Sequence, residues 1–175
     1  MLKKLRLAPR RILDLCTGSG CLAILAAYAF AKARIDAADL SAEALQVAKK
    51  NLAMHRMQRR IGLVRSDLFG ALRGRRYDLI ITNPPYVTRS AMKALPAEYR
   101  YEPGIALAGG RDGLDLVGRI IAQAADHLAP GGLLVCEVGS GRAALERAYP
   151  RLALRWPVDE VFVLRHKRPR PAAAR

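Results

Sequence analysis

Residues 83–86 read Asn83-Pro84-Pro85-Tyr86, directly after the apolar run Leu79-Ile80-Ile81-Thr82. An asparagine at the end of a strand, followed by two prolines and an aromatic ring, makes a rigid polar pocket. Proline fixes φ and has no backbone N–H, so the carbonyls here are free to accept hydrogen bonds from another molecule. The Asn83 side chain adds an acceptor, and the Tyr86 ring adds a flat stacking surface. Together they suit a planar –NH2 group, and hence methyl transfer to an amide or an exocyclic amine. A proline-rich turn closing a strand reads the same way, so these four residues do not decide the matter alone.

Upstream, Asp14-Leu15-Cys16-Thr17-Gly18-Ser19-Gly20-Cys21 joins a short apolar run to an Ala/Leu-rich segment. Glycines permit a tight turn and close approach of backbone to a ligand beside a helix N-terminus. Gly18-Ser19-Gly20-Cys21-Leu22-Ala23 also fits the dinucleotide pattern, with Asp39 near the ribose position, so a nicotinamide enzyme competes. Three features favour S-adenosylmethionine instead. Asp14 opens the loop, where it suits an ammonium and repels a pyrophosphate. Asp67, in Ser66-Asp67-Leu68-Phe69, ends a later strand where an acid can accept from an adenine amino group. Asn83-Pro84-Pro85-Tyr86 ends the next. Capping of helices and turns is the competing explanation for Asp14 and Asp39.

The elements that carry these residues alternate. Strands are predicted at Arg11–Leu15, Arg34–Asp39, Ile61–Arg65, Tyr77–Thr82, 133–138 and 161–164. Helices are predicted at 21–31, after the N-cap Ser41, from Leu114 to Leu128 (stopped by Pro130-Gly131-Gly132) and at 143–148. The stretch 88–110 has no sustained period and is long for a connection, which marks it as functional. Alternation implies an α/β fold: a doubly wound, mostly parallel sheet with ligands at the carboxyl ends of its strands. The 175 residues bound one domain, 51% hydrophobic and carrying a net charge of +15. We expect a basic segment at 1–10, a catalytic domain at 11–165 and a basic, disordered tail at 166–175. Both termini are Arg/Lys-rich, which suits either solvated tails or an RNA-facing patch. Cys16, Cys21 and Cys136 make no Cys-x-x-Cys pair, so buried thiols in a reducing cytoplasm are expected, with no metal site and no membrane span.

Several motifs in order resemble one family. Asp14–Cys21, Ser66–Phe69, Asn83-Pro84-Pro85-Tyr86-Val87, Leu95–Tyr99, Glu102-Pro103, Gly110–Asp115 and Cys136-Glu137-Val138-Gly139 are similar to the protein-(glutamine-N5) methyltransferases of the HemK/PrmB/PrmC group. Cys16, Leu114-Asp115, Tyr149-Pro150, Trp156 and Val161–Leu164 look most like the PrmB branch, which acts on a large-subunit ribosomal protein. The sister branch acts on release factors. The resemblance implies the Rossmann-like fold of S-adenosylmethionine-dependent methyltransferases. It assigns the cofactor to Asp14, Thr17, Gly18, Gly20, Asp39, Asp67 and Asn83. It assigns the glutamine amide to Asn83, Pro84, Pro85, Tyr86 and Glu102, with Asn83, Pro84 and Tyr86 as the catalytic group and Glu137 nearby. The family carries an N-terminal helical domain that helps to recognise the substrate protein. This chain begins almost at the first strand, so the resemblance implies a fragment with weakened substrate capture. Thr88, where the branch often has Asp, and the short segment from Trp156 to Val161 also depart from the family.

An amide nitrogen is a poor nucleophile, so catalysis by positioning is expected, without metal. Two other readings stand beside it. One is methylation of an exocyclic amine in DNA or RNA, which shares the Asn-Pro-Pro-aromatic motif and fits the basic charge. The other is a truncated, non-catalytic module that binds ribonucleoprotein.

Overall fold

The apolar runs become adjacent strands because each is too hydrophobic to leave either face in water. The computed structural model describes residues 8–85 and 114–166. Its elements are β1 (Arg11–Leu15), α1 (Cys21–Ala29), β2 (Arg34–Asp39), α2 (Ala42–Met54), β3 (Ile61–Arg65), β4 (Tyr77–Thr82), α3 (Asp115–His127), β5 (Leu128–Glu137), α4 (Arg142–Ala148), β6 (Arg155–Val158) and β7 (Val161–Arg165). One sheet holds the strands in the order β3-β2-β1-β4-β5-β7-β6. The first five run parallel, and β7 and β6 pair antiparallel at one edge.

Alternate residues of each strand feed two cores, as the period of two requires. Leu13, Leu15, Ile80, Leu134 and Phe162 pack with Phe69, Leu72, Val117, Ile120 and Leu145 on one face. Ile12, Ile35, Leu79, Ile81 and Val135 pack with Ala23, Ile24, Ala27 and Leu52 on the other. Both faces are covered, as parallel sheets demand. Each fully buried Leu or Ile contributes about 1.5–3 kcal/mol, which makes these layers the rigid base of the strand ends.

Local signals explain the boundaries. Ser41 caps α2 by accepting from the Ala44 N–H at 3.0 Å, with Glu43 in the first turn. The Arg60 guanidinium donates to the carbonyls of Ala27, Phe30 and Ala33, satisfying the end of α1. That helix stops at Ala29, two residues before the predicted end.

Other differences have physical causes. α3 ends at His127, and β5 begins at once with Leu128 instead of at 133. The Pro-Gly-Gly break lies inside the strand, where the β4–β5 register shifts between Tyr77 and Leu79. A Cβ on Gly132 would sit 2.9 Å from the Ala129 carbonyl oxygen and 3.0 Å from that of Tyr77, so only glycine lets the strands meet. α4 starts one residue earlier than predicted, at Arg142, and β7 runs one residue further, to Arg165. β6 was not predicted: it is an exposed edge strand containing Pro157, where proline is tolerated. Cys21, expected to be buried, is exposed at the first position of α1. The long connection at 88–110 and the tail beyond His166 lie outside the described residues. No helix among the described residues is long and apolar enough to cross a membrane.

Gly132→Ala should therefore destabilise the protein by about 1–3 kcal/mol through overpacking against backbone that cannot yield. Urea unfolding monitored by circular dichroism measures this. An unchanged midpoint would mean that β4 and β5 can separate at the bulge.

Candidate functional site

The carboxyl ends of β1, β2, β3 and β4 converge because these strands are parallel neighbours with short connections. The chain leaves β1 through Cys16, whose φ is +58°, and turns through Gly18 at +55° and Gly20 at +81°. A non-glycine residue in this region costs about 1–2 kcal/mol, so Cys16 holds local strain. A Cβ on Gly18 would meet nothing within 4 Å, so this glycine serves the turn and leaves its surface open. A Cβ on Gly20 would come within 3.3 Å of the Ala48 Cβ, so this glycine lets α1 and α2 approach. The Thr17 N–H anchors the loop by donating to the Ala38 carbonyl at 3.0 Å.

Asp14 lies beneath the loop and is wholly buried. Its Oδ2 accepts from the Thr17 hydroxyl at 2.5 Å and the Ala23 N–H at 2.9 Å. Its Oδ1 has no partner among the described residues. Burial pushes the carboxyl up to about 7; the bonds from Thr17 and Ala23 oppose this, and the charge of Asp39 adds to it. Asp39 ends β2. Its Oδ2 accepts from the Gly18 N–H at 2.8 Å and its Oδ1 from the Ser41 N–H at 2.9 Å. Each oxygen keeps a further lone pair for a ligand.

Beyond β3, the buried Ser66 hydroxyl donates to the Leu68 carbonyl and accepts from the Ala71 N–H, fixing the turn. Asp67 stands on that turn, exposed, with both oxygens 3.0 Å from one Arg119 nitrogen on α3. Beyond β4, Asn83 is exposed, Pro84 buried and Pro85 half-buried. β4 lies between β1 and β5, with Leu15 and Cys136 opposite Thr82. The strand order thus brings Asn83 beside the glycine loop. Glu137 ends β5, half-buried. Tyr86 and Glu102 lie outside the described residues, as do Leu95–Tyr99 and most of Gly110–Asp115.

Two features were not singled out from sequence. Arg119 is 52 residues from Asp67, and no local pattern marks such a partner. Thr82 ends the apolar run before Asn83, and its buried hydroxyl has no partner of acceptable hydrogen-bond geometry among the described residues. It still lies close enough to the Cys16 thiol to offset part of the upward push of burial and of Asp39, which takes that thiol to about 12. Neither Cys16 nor Cys136, also pushed up by burial, is poised as a nucleophile. No group of His, Cys, Asp or Glu among the described residues could hold a metal ion.

The site's architecture has relatives. The methyltransferase small domain family model matches residues 1–98. A ribosomal protein uL3 glutamine methyltransferase from Bradyrhizobium diazoefficiens is 56% identical over 149 residues, covering 85% of this chain and 47% of that protein. The namesake protein from Bordetella pertussis is 53% identical over 146 residues, covering 83% and 49%. The chain thus spans about half the length of these curated relatives. A methyltransferase crystal structure from Pyrococcus furiosus shares the fold, with a TM-score of 0.67 at 17% identity, covering 95% of this chain and 79% of that one. With the family model matching more than half its residues, and with this sheet order, the chain belongs to the methyltransferase small domain family.

Proposed function

We propose that this chain is the methyl-transferring part of a cytoplasmic enzyme that methylates the side-chain amide nitrogen of a glutamine in a large-subunit ribosomal protein, with S-adenosylmethionine as donor. The observation that carries this reading is Asn83-Pro84-Pro85 at the end of a central strand, next to a glycine loop underlain by a buried acid. The names of the relatives supply the substrate class. Residues 11–165 act as the transfer domain.

The residues present fit the cofactor. Asp14 carries an orphaned, buried Oδ1 beside a loop whose Gly18 leaves open space. A methionine ammonium is the kind of donor that this oxygen lacks. Asp39 holds the loop with one lone pair on each oxygen and offers the others to ribose hydroxyls. Asp67 offers a carboxylate to the adenine amino group. Thr17 acts by holding Asp14. When bound, S-adenosylmethionine supplies an electrophilic methyl group on a sulfonium.

The chain's own work is orientation. The Asn83 side-chain oxygen and the Pro84 carbonyl accept the two amide hydrogens of the glutamine. That aims its nitrogen and favours the positive charge that develops there. Pro85 belongs to the same substrate site, and the family motif adds Tyr86 and Glu102, which lie outside the described residues. Methylation of a nucleic-acid amine is favoured by the net charge of +15. Against it, Asp39 and Glu137 at the strand ends disfavour a phosphate backbone, and the curated relatives are named for a protein substrate. Labelled cofactor offered with ribosomal protein or with oligonucleotide separates the two. Transfer to oligonucleotide alone would overturn the protein-substrate reading.

Asn83→Ala should lower the transfer rate by about 10²–10³ while leaving S-adenosylhomocysteine affinity nearly unchanged. Single-turnover rates and calorimetry read the two separately. Equal loss of both would make Asn83 a structural residue.

Asp14 gives a pH prediction. Its folded pKa is raised from 3.8 to about 7. Its contribution to stability is therefore fully present below the unfolded value and is lost as pH rises through the folded one. Between about pH 4 and pH 8, the stability of Asp14→Asn relative to the parent should rise by roughly 2–4 kcal/mol. S-adenosylhomocysteine should recover part of that difference for the parent at the higher pH. Parallel pH profiles for the two proteins would remove Asp14 as a buried, titrating group.

A further inference from the structure

The edge of the sheet opposite the candidate site carries a row of arginines. Arg11 and Arg34 are the first residues of β1 and β2 and stand directly opposite each other. Arg59 stands two residues before the start of β3, Arg76 immediately precedes β4, and Arg165 ends the antiparallel β7. All five are exposed. In the order β3-β2-β1-β4-β5-β7 they span five inter-strand spacings, roughly 24 Å at about 4.8 Å each.

Among the described residues, none of these arginines forms an ion pair with a carboxylate. The ion pairs among the described residues are Arg75–Asp36, Arg119–Asp67, Arg142–Glu146 and Arg142–Asp159, and none involves this row. The contacts of the row are carbonyls and a ring. Arg34 donates to the Arg59 carbonyl. Arg76 donates to the Leu128 carbonyl at 3.1 Å and Arg165 to that of Gly131 at 2.9 Å. The Arg11 guanidinium lies 5.6 Å from the centre of the Tyr77 ring. A guanidinium has five donors, so one such bond orients the group and leaves the rest facing outward. The carboxylates nearby are few. Asp36 is taken by Arg75 and Tyr77, and Asp78 by the backbone N–H groups of Arg10 and Arg11. Asp126 lies in the last turn of α3.

The geometry points to this edge as a phosphate-backbone contact surface for RNA, on the opposite side of the sheet from the glutamine pocket. The choice of RNA rests on the proposed ribosomal substrate, because a ribosomal protein is met beside its RNA. A membrane fits less well. Of the exposed large apolar side chains among the described residues, Tyr28 and Met54 stand at the ends of α1 and α2 that lead into β2 and β3, while the strand ends that carry the arginines bear none. Backbone contact by arginine is independent of sequence and strongly salt-dependent. Such a surface would hold the enzyme on its particle while the opposite edge engages the protein.

The test compares the full chain with the triple variant Arg34→Gln, Arg76→Gln, Arg165→Gln. A control removes the same charge elsewhere through Lys49→Gln, Lys50→Gln and Arg65→Gln. Fluorescence anisotropy reads binding of a labelled oligouridylate across a salt series. Co-sedimentation with phosphatidylglycerol vesicles is the parallel arm, and S-adenosylhomocysteine calorimetry with circular dichroism reads folding. The edge variant should lose about tenfold or more in RNA affinity near 100 mM salt, with a salt slope shallower by about 2. The control should stay within about twofold, and S-adenosylhomocysteine affinity should hold throughout. The matching Arg→Lys triple should keep most of the RNA binding. If the Gln triple does not fold, Arg165→Glu alone should still flatten the slope by about 0.7 or more. Equal loss in the control, an unchanged edge variant, or an effect confined to vesicles would overturn the assignment. Failure of the parent to bind S-adenosylhomocysteine would count against the proposed function and leave the RNA result standing.

Discussion

The Asp39 residue is the junction on which the candidate site depends. One carboxylate oxygen accepts from Gly18 in the loop after β1, the other from Ser41 at the cap of α2, and its backbone carbonyl accepts from Ser66 after β3. Three connections that are distant in sequence are thereby tied to one strand end. Hydrogen bonds to a charged acceptor contribute about 1.5–3 kcal/mol each, against roughly 1 for neutral ones. The loop strain at Cys16 and the positive φ at Gly18 persist because this residue and the Thr17–Ala38 bond over-determine the turn. A residue in this position cannot be probed for ligand contact alone. Removing Asp39 would loosen the loop before any ligand arrived.

Asp14 illustrates the opposite arrangement, a charge held where it is not fully satisfied. A buried carboxylate with one oxygen unpartnered is costly, and its elevated pKa expresses that cost. In an ordinary core the position would favour an apolar residue. It survives beneath a loop with open space at Gly18, where an incoming cation can complete the missing bond. The same reasoning separates Asp14 from Asp39. They lie at the ends of neighbouring strands, yet one has donors on both oxygens and the other waits for one.

Much of this was legible in the sequence because the parallel strands are short, largely apolar runs with a candidate site residue at or just beyond the carboxyl end. β1, β2, β3 and β4 needed only that pattern, and Ser41 announced its cap. The errors came where neighbours override local preference. Pro130-Gly131-Gly132 reads as a break, but Gly132 is what admits the Ala129 and Tyr77 carbonyls, so the strand continues through it. β6 is exposed and contains a proline, and it exists only because β7 offers an edge. In the site, residue types and order were readable, whereas the partners were not. Asp67 with Arg119, and Thr82 against Cys16, are long-range pairings that depend on how helices and loops lie over the sheet.

The two edges of the sheet also explain how a chain with a charge of +15 can gather Asp14, Asp39 and Asp67 at one side. Parallel strands give every candidate acid the same address, the carboxyl end, and every strand-initiating arginine the other. The strands are five or six residues long, so the two sets are separated by about 17–20 Å at 3.3 Å per residue. That exceeds a Debye length of about 8–10 Å at moderate salt, so each edge acts on its own surroundings. On the proposed reading, a polyanion is drawn to the arginine edge and disfavoured at the other. On that same reading, the chemistry at Asn83 is left to an uncharged amide, while the arginines concern whatever carries that amide's protein.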